Sequence, residues 1–448
     1  MDRRLVTLIK MKHLYDWTWV EAEVARTVEV WNECASAPAA QMGVRFNIGE
    51  QQEREEAYDA ELITVEREAR RTARTKAERL AMQDRIVASF ARFAASALGL
   101  EPEAVNLLTD DFLPAGTKLA QWSKQFDASL STADIMQACR NTWTACGLQA
   151  LLGERIGLTP AILGYSLLYP YSDNFLDRAD ISREAKLQFS KRFLARLRGE
   201  QFAAANARET SLWALVKLIE QQYPRAGFPD VYACLLAIHR AQEESIAQLR
   251  NGNDGVESDV LRMSCAKGGS SVLADACLAR GWMSEEESRF SFAWGVLLQL
   301  GDDLQDLRED IERGSVTLFT HAAALGVPLD ALVMQLLSFS DRVANQMDEL
   351  NEDTEAHGGT EVLKKLMRMS WRSLIVGAVA NAHQYFSPAF VVEAERSSPF
   401  RFQFLRSRHA RLTSKQGLYT SLFDTFYESR EGGDGLLPMP VSSISRQR

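Results

Sequence analysis

The chain has 448 residues, 46% of them hydrophobic and 25% charged, the composition of a globular protein and not of a disordered or fibrous one. Glycine (26) and proline (12) are too sparse for the many turns of an all-β fold, so a mostly helical protein is expected. The formal net charge of -9 provides no global basic field, which excludes nucleic-acid or anionic-membrane binding by bulk electrostatics.

In chain order, Lys10, Lys12 and His13 interrupt the first apolar stretch before a signal-peptide core can form. No run of 18 apolar residues occurs, so no transmembrane segment is expected and the protein is placed in the cytoplasm. The six cysteines, Cys34, Cys139, Cys146, Cys234, Cys265 and Cys277, form no C-x-x-C pair and read as small buried hydrophobes in a reducing compartment. Residues 51–94 are dense in Glu, Arg and Ala with helical periodicity, and their charges are expected to form a solvated face without chemistry. Further helices are expected over 132–152, from Thr159-Pro160 onward, and over 182–198, 211–222, 230–250, 271–280, 284–312 and 360–385. The boundaries that follow are an N-terminal helical extension (1–95), a main helical domain (96–428) and a Gly/Ser/Pro-rich tail (429–448) expected to be flexible.

Three segments carry candidate chemistry. In LLYPYSDNFLDRADISRE, Asp173 and Asp177 stand at i,i+4 with Asn174 between them, Pro170 marks a kink or restart, and Asp180 joins them if the helix continues. A plain helix start at Ser172 or Asp173 would account for the same residues. In RMSCAKGGSSVLADACLARG, Gly268-Gly269 is expected to break a helix and Ser270/Ser271 to cap the next. That helix N-terminus, with Lys267 and Arg262, would anchor a diphosphate, although an ordinary Gly-Gly turn fits as well.

The strongest pattern lies in WGVLLQLGDDLQDLREDIERG. Turning a helix 100° per residue from Asp302 places Asp306 at about 40°, Gln299 at about 60°, Asp310 at about 80° and Asp303 at about 100°. Leu300, Leu304, Leu307 and Ile311 fall on the other flank, leaving a carboxylate row about 12 Å long. Arg308 points away, and Arg313 returns to the acidic side only at the end. A solvated helix would tolerate such a row, whereas Mg2+ requires hard carboxylate oxygens of this kind. Gly295, on the same side, would leave room for a ligand. Arg140 and Asn141, polar residues in an otherwise apolar helix, are candidates for the cavity wall or for a buried structural pair.

These residues resemble the class I isoprenoid synthases, the trans-prenyltransferases and terpene cyclases. Gly295, Leu298, Gln299, Asp302, Asp303 and Asp306 are similar to the second aspartate-rich motif of the prenyltransferases, and Asp302, Asp306 and Asp310 match the spacing of the cyclase metal triad. Asp173, Asn174 and Asp177 resemble the first D-D-x-x-D motif with Asn in second place, and Lys267 resembles the lysine that holds diphosphate. The runs KGGSSVLAD and AVANAHQYFSPAFVVEAERSSPF are most similar to the large-terpene-synthase branch of tetraprenyl-β-curcumene synthase type. The likeness spans roughly residues 130–405.

The resemblance implies an all-α bundle around a central cavity and Mg2+ held by Asp173, Asn174, Asp177, Asp302, Asp303, Asp306 and Asp310. It further implies a prenyl diphosphate substrate anchored by Lys267, Arg262 and Arg183, and leaves room for a homodimer. Chain-elongating members carry two arginines after the first motif where this chain has Ser182 and Arg183, which weakens the case for condensation with isopentenyl diphosphate. The implied activity is terpene cyclisation with loss of diphosphate, a lyase reaction. The alternatives are a prenyltransferase, chain-elongating or head-to-head, and a non-catalytic isoprenoid-binding or regulatory helical protein. Aromatic faces at Trp143, Trp213, Trp294 or Tyr165 would stabilise an allylic cation, although plain core packing is the better explanation for most of them.

Overall fold

The structure is a computed structural model and describes residues 15–35, 42–71, 73–178, 180–248, 257–350 and 358–426. The interrupted apolar start and the tail from 429 lie outside these residues. The described chain is helical, without a strand. Its helices are α1 (Trp17–Ala35), α2 (Ile48–Ala69), α3 (Lys76–Ser96), α4 (Pro102–Asn106), α5 (Leu113–Phe126), α6 (Thr132–Leu151) and α7 (Pro160–Asp177). There follow α8 (Arg183–Leu197), α9 (Ala207–Gln222), α10 (Pro229–Gln248), α11 (Glu257–Arg280), α12 (Glu285–Gln305) and α13 (Leu307–Arg313). The last are α14 (Leu318–Ala324), α15 (Asp330–Glu349), α16 (Gly358–Asn381), α17 (Pro388–Arg396), α18 (Phe402–Ser414) and α19 (Gln416–Phe426). Among the described residues no helix is long and apolar enough to cross a membrane.

Local chemistry sets most of the helix starts. Asn47, Thr75, Ser131 and Ser284 each accept from the backbone N–H three residues on, while the acid at that position, Glu50, Glu78, Asp134 or Glu287, reaches back. Thr159 and Ser182 cap α7 and α8 by the first half of that exchange. All six cysteines are free and buried, as their apolar surroundings require.

Two helices depart from expectation in ways that bear on function. α11 runs without a break through Gly268 and Gly269, so Ser270 and Ser271 cap nothing. Each glycine costs a helix about 1 kcal/mol relative to alanine; here close packing of α11 on α12 offsets that cost. A Cβ on Gly268 would lie 2.5 Å from the Gly295 carbonyl oxygen, a Cβ on Gly295 would strike the Gly268 carbonyl, and the Phe292 ring covers Gly269. Gly295 therefore makes room for a neighbouring backbone and not for a ligand. α7 likewise runs through Pro170 without restarting and ends at Asp177, which leaves Asp180 off the helix and paired with Arg178.

The charged stretch 51–94 folds as two packed helices, α2 and α3, and its acids do not all face solvent. Gln51, Glu55, Glu66 and Glu68 are buried. Glu55 pairs with Arg401, Asp59 with Arg408, and Glu66 with Arg411 and Lys415 at 2.8 Å each, so α2 is fastened to α18 and to Lys415, the residue between α18 and α19. The main core gathers around α11 and α12, which pack against α1, α6, α10, α15 and α16 between them.

Candidate functional site

Burial separates the two flanks of the α12–α13 segment only in part. Leu300, Leu304 and Leu307 are fully buried, as the rotation predicts, while Ile311 is 39% exposed. The helix is not continuous: α12 ends at Gln305, and Asp306 adopts φ -89°, ψ 6° before α13 begins. Helical hydrogen bonds persist across the hitch, from Asp306 N–H to the Asp302 carbonyl (2.9 Å) and from Asp310 N–H to the Asp306 carbonyl (2.8 Å). Glu309 and Asp310 thus occupy the first turn of α13.

The aspartates divide into two kinds. Asp303 is buried, accepts from Gln299 Nε2 (2.8 Å) and Ser264 Oγ (3.1 Å), and has its carboxyl pushed up to about 6 by burial, against the pull of those bonds and of Lys267. Asp302 is solvent-exposed, with protein packed close by. That crowding pushes its carboxyl up to about 6, Asp306 adds to the rise, and Arg140 and Lys267 oppose it. Asp306 and Asp310 are also raised, first by desolvation and then by neighbouring acids, with Arg313 opposing at both. Arg140 on α6 and Lys267 on α11 thus lie near enough to act on the row's charge. Arg262 and Arg183 are solvent-exposed, Arg262 on the same helix as Lys267 and Arg183 in the first turn of α8.

The first cluster is built differently. Asp173 is 6% exposed, and both its oxygens accept from Gln242 Nε2 on α10 at 2.8 Å, with Ser172 Oγ 3.0 Å from Oδ1. Asn174 donates to Asp134 Oδ1 of α6 at 2.7 Å, which occupies its amide nitrogen. Asp177 is the last residue of α7, and its side chain lies outside the description. Asn141 donates to Ser166 Oγ (3.1 Å) and to Asp275 Oδ1 (2.9 Å), making it part of a buried pair and not an open cavity wall. Asp275 is fully buried, so its carboxyl is held well above the ordinary range. The only trace of it in the sequence is a lone acid within SVLADACLA.

The aromatic residues are mainly structural. Trp143 donates to the Phe112 carbonyl at 2.9 Å, Tyr165 to the Ser271 carbonyl at 3.2 Å, Trp294 stacks on Phe290, and Trp213 meets Phe202 edge to face. Arg208 lies 3.9 Å over the Phe175 ring, a cation beside the first cluster that sequence reasoning did not single out. Among the described residues, no three His, Cys, Asp or Glu side chains are gathered closely enough to form a metal-ligand group. Asp302 and Asp306, both open to water, fit an ion that takes one or two carboxylates and completes its shell with water and phosphate oxygens. No family model, curated protein or solved structure matches the chain.

Proposed function

We propose that the chain binds a prenyl diphosphate at the α12–α13 acid row and ionises it in a Mg2+-dependent reaction, releasing diphosphate and cyclising the allylic cation to a terpene. The observation that carries this reading is the placement of Asp302: water-accessible, crowded, next to Asp306, and near enough to Arg140 and Lys267 for both to act on its charge. Acids left without ion-pair partners beside two cations suit a site completed by a metal and a polyanion. Asp302 and Asp306 would hold Mg2+, which when bound supplies Lewis-acid stabilisation of the leaving diphosphate. Lys267 and Arg140 would hold the diphosphate oxygens and offset the charge that builds as the C–O bond breaks. Asp303, turned inward onto Gln299 and Ser264, would fix the orientation of the helix without touching substrate.

One observation favours a second reading, a helical protein that binds a prenyl diphosphate without turnover: Asp173 and Asn174, expected ligands, are already engaged by Gln242 and Asp134. Incubation with Mg2+ and C15, C20 or C35 prenyl diphosphates, followed by gas chromatography, separates the possibilities. The cyclase reading predicts a hydrocarbon without a second substrate. A longer diphosphate formed with isopentenyl diphosphate would indicate a prenyltransferase, and Mg2+-dependent binding without product a binding protein.

A further inference from the structure

The turn that joins α2 to α3 gathers charge of one sign. Between positions 67 and 79 the chain carries six cations, Arg67, Arg70, Arg71, Arg74, Lys76 and Arg79, and two acids, Glu68 and Glu78, although its net charge is -9. Arg79 is half-buried and the other five cations are exposed. Glu68 is buried and pairs with Arg71 at 2.9 Å and with Arg85 of α3 at 2.8 Å. Glu78 closes the α3 capping box, accepting from the backbone N–H groups of Arg74 (2.8 Å) and Thr75 (3.0 Å). Glu66, just before the stretch, is buried under Arg411 and Lys415, so two more partly exposed cations stand at the same end of α2.

The buried acids account for part of this charge and leave the rest outward. The side chains of Arg67 and Arg74 enter none of those pairs, and like charges this close repel, so folding gains nothing from holding six of them around one turn. The overall negative charge does not cancel them, because exposed charges act within about 8 Å at physiological salt. Beyond Glu78, the nearest exposed acids on the two helices are Glu56, about 16 Å from Arg67 along α2, and Asp84, about 12 Å from Lys76 along α3. A surface that touches the turn therefore meets cations, although the molecule as a whole is acidic.

The arrangement favours lipid over nucleic acid. Its cations are spread over two helix ends and a turn, which suits headgroups free to diffuse toward them, and do not follow a track matched to the fixed phosphate spacing of a duplex. No aromatic residue stands between Tyr58 and Phe90 on which an unpaired base would stack. Ile63, 47% exposed, lies about one turn behind Arg67 on the same face of α2 and adds an apolar contact. We propose that the α2–α3 turn docks the protein reversibly on a bilayer containing anionic lipid, with its arginines and Lys76 on the lipid phosphates and carboxylates. The docking stands on charge and not on the catalytic reading, although a bilayer is also the phase in which a prenyl chain dissolves.

Flotation of the full chain with lipid vesicles tests this, in chelator and without prenyl diphosphate, so that the result is independent of the α12–α13 site. At about 0.15 M salt the chain is expected to float with phosphatidylcholine vesicles containing about 30% phosphatidylserine and to stay behind with phosphatidylcholine alone. Raising the salt to about 1 M should release it, a measurement that needs no substitution. Each cation beside an anionic leaflet is worth about fivefold in affinity, so Arg67→Gln with Arg74→Gln should weaken binding about tenfold or more. Both side chains are exposed, and urea unfolding of that variant should match the parent. Equal binding to the two kinds of vesicle, binding that survives about 1 M salt, or binding unchanged in the double variant would overturn the proposal, as would a DNA duplex or RNA strand that displaces the vesicles at about 0.15 M salt.

Discussion

Two rows of acids on helices, one on α2 and one at the α12–α13 junction, show how differently the same residue types can be used. On α2, Glu61 and Glu66 fall below the ordinary carboxylate range because Arg92 holds the first and Arg411, Lys415 and Tyr419 hold the second, taking Glu66 to about 2. Glu68 is lowered as well: burial pushes upward, but Arg85 and Arg71 prevail. At the α12–α13 junction Asp302, Asp303, Asp306 and Asp310 all move upward, driven first by desolvation. One row is neutralised by the chain's own cations, and the other stays charge-deficient beside Arg140 and Lys267. Folding gains nothing from unrelieved acids near the surface of a helix, and that is what the proposed diphosphate site accounts for.

The largest expected effect comes from breaking the unrelieved row. Asp302→Ala with Asp306→Ala should reduce Mg2+-dependent turnover of a prenyl diphosphate by about 100-fold or more. The same variant should unfold no more easily than the parent in urea. Lost turnover accompanied by lost stability would mean that the row is structural, like that on α2.

Breaking the neutralised row should do the reverse. Glu66→Ala strands Arg411 and Lys415, which are about 30% exposed, and should destabilise the chain by about 1–3 kcal/mol in urea unfolding. Amide exchange should quicken first in α18 and α19. Unchanged exchange there would show that the α2 pairs hold nothing together.

Acid titration sharpens the contrast. Glu66 has a lowered folded pKa, so its contribution is fully present above the ordinary carboxylate range and is lost as pH falls from about 4.5 to about 2. Asp303 has the opposite sign: its penalty is absent below an unfolded value near 3.8, grows with rising pH, and is complete above about 6. Amide exchange across this range should show α2, α18 and α19 loosening first at low pH, with the α12–α13 junction protected longest. The smallest effect follows from the same sign. Asp303→Asn should raise stability by about 1 kcal/mol above pH 6 and change nothing below pH 4, as read by thermal melts at the two values.

Local features were legible from the sequence, and features needing a distant partner were not. Ser131, Thr159, Ser182 and Ser284 declare their helix starts, because capping depends on residues three positions away. The buried flank of Leu300, Leu304 and Leu307 follows from helix rotation alone. Gly268-Gly269 reads as a break because its justification is Gly295, on another helix. Glu55 and Glu66 of α2 read as solvated because Arg401 and Arg411, which cover them, lie more than 340 positions away. Gln242, which takes both oxygens of Asp173, and Asp134, which takes Asn174, have no marker in the sequence that pairs them with the first cluster. Asp275 carries a weak mark as a charge among apolar neighbours, but Asn141 as its partner depends on how α6 meets α11.

The account depends on the acid row at α12–α13 being a cation site that receives a diphosphate. Its most direct test is calorimetric titration of an unreactive prenyl thiodiphosphate into the full chain, with Mg2+ present and then chelated. Binding that requires Mg2+ and disappears when Asp302→Ala and Asp306→Ala are added is the predicted result. Binding that ignores either the metal or those two substitutions would contradict the account.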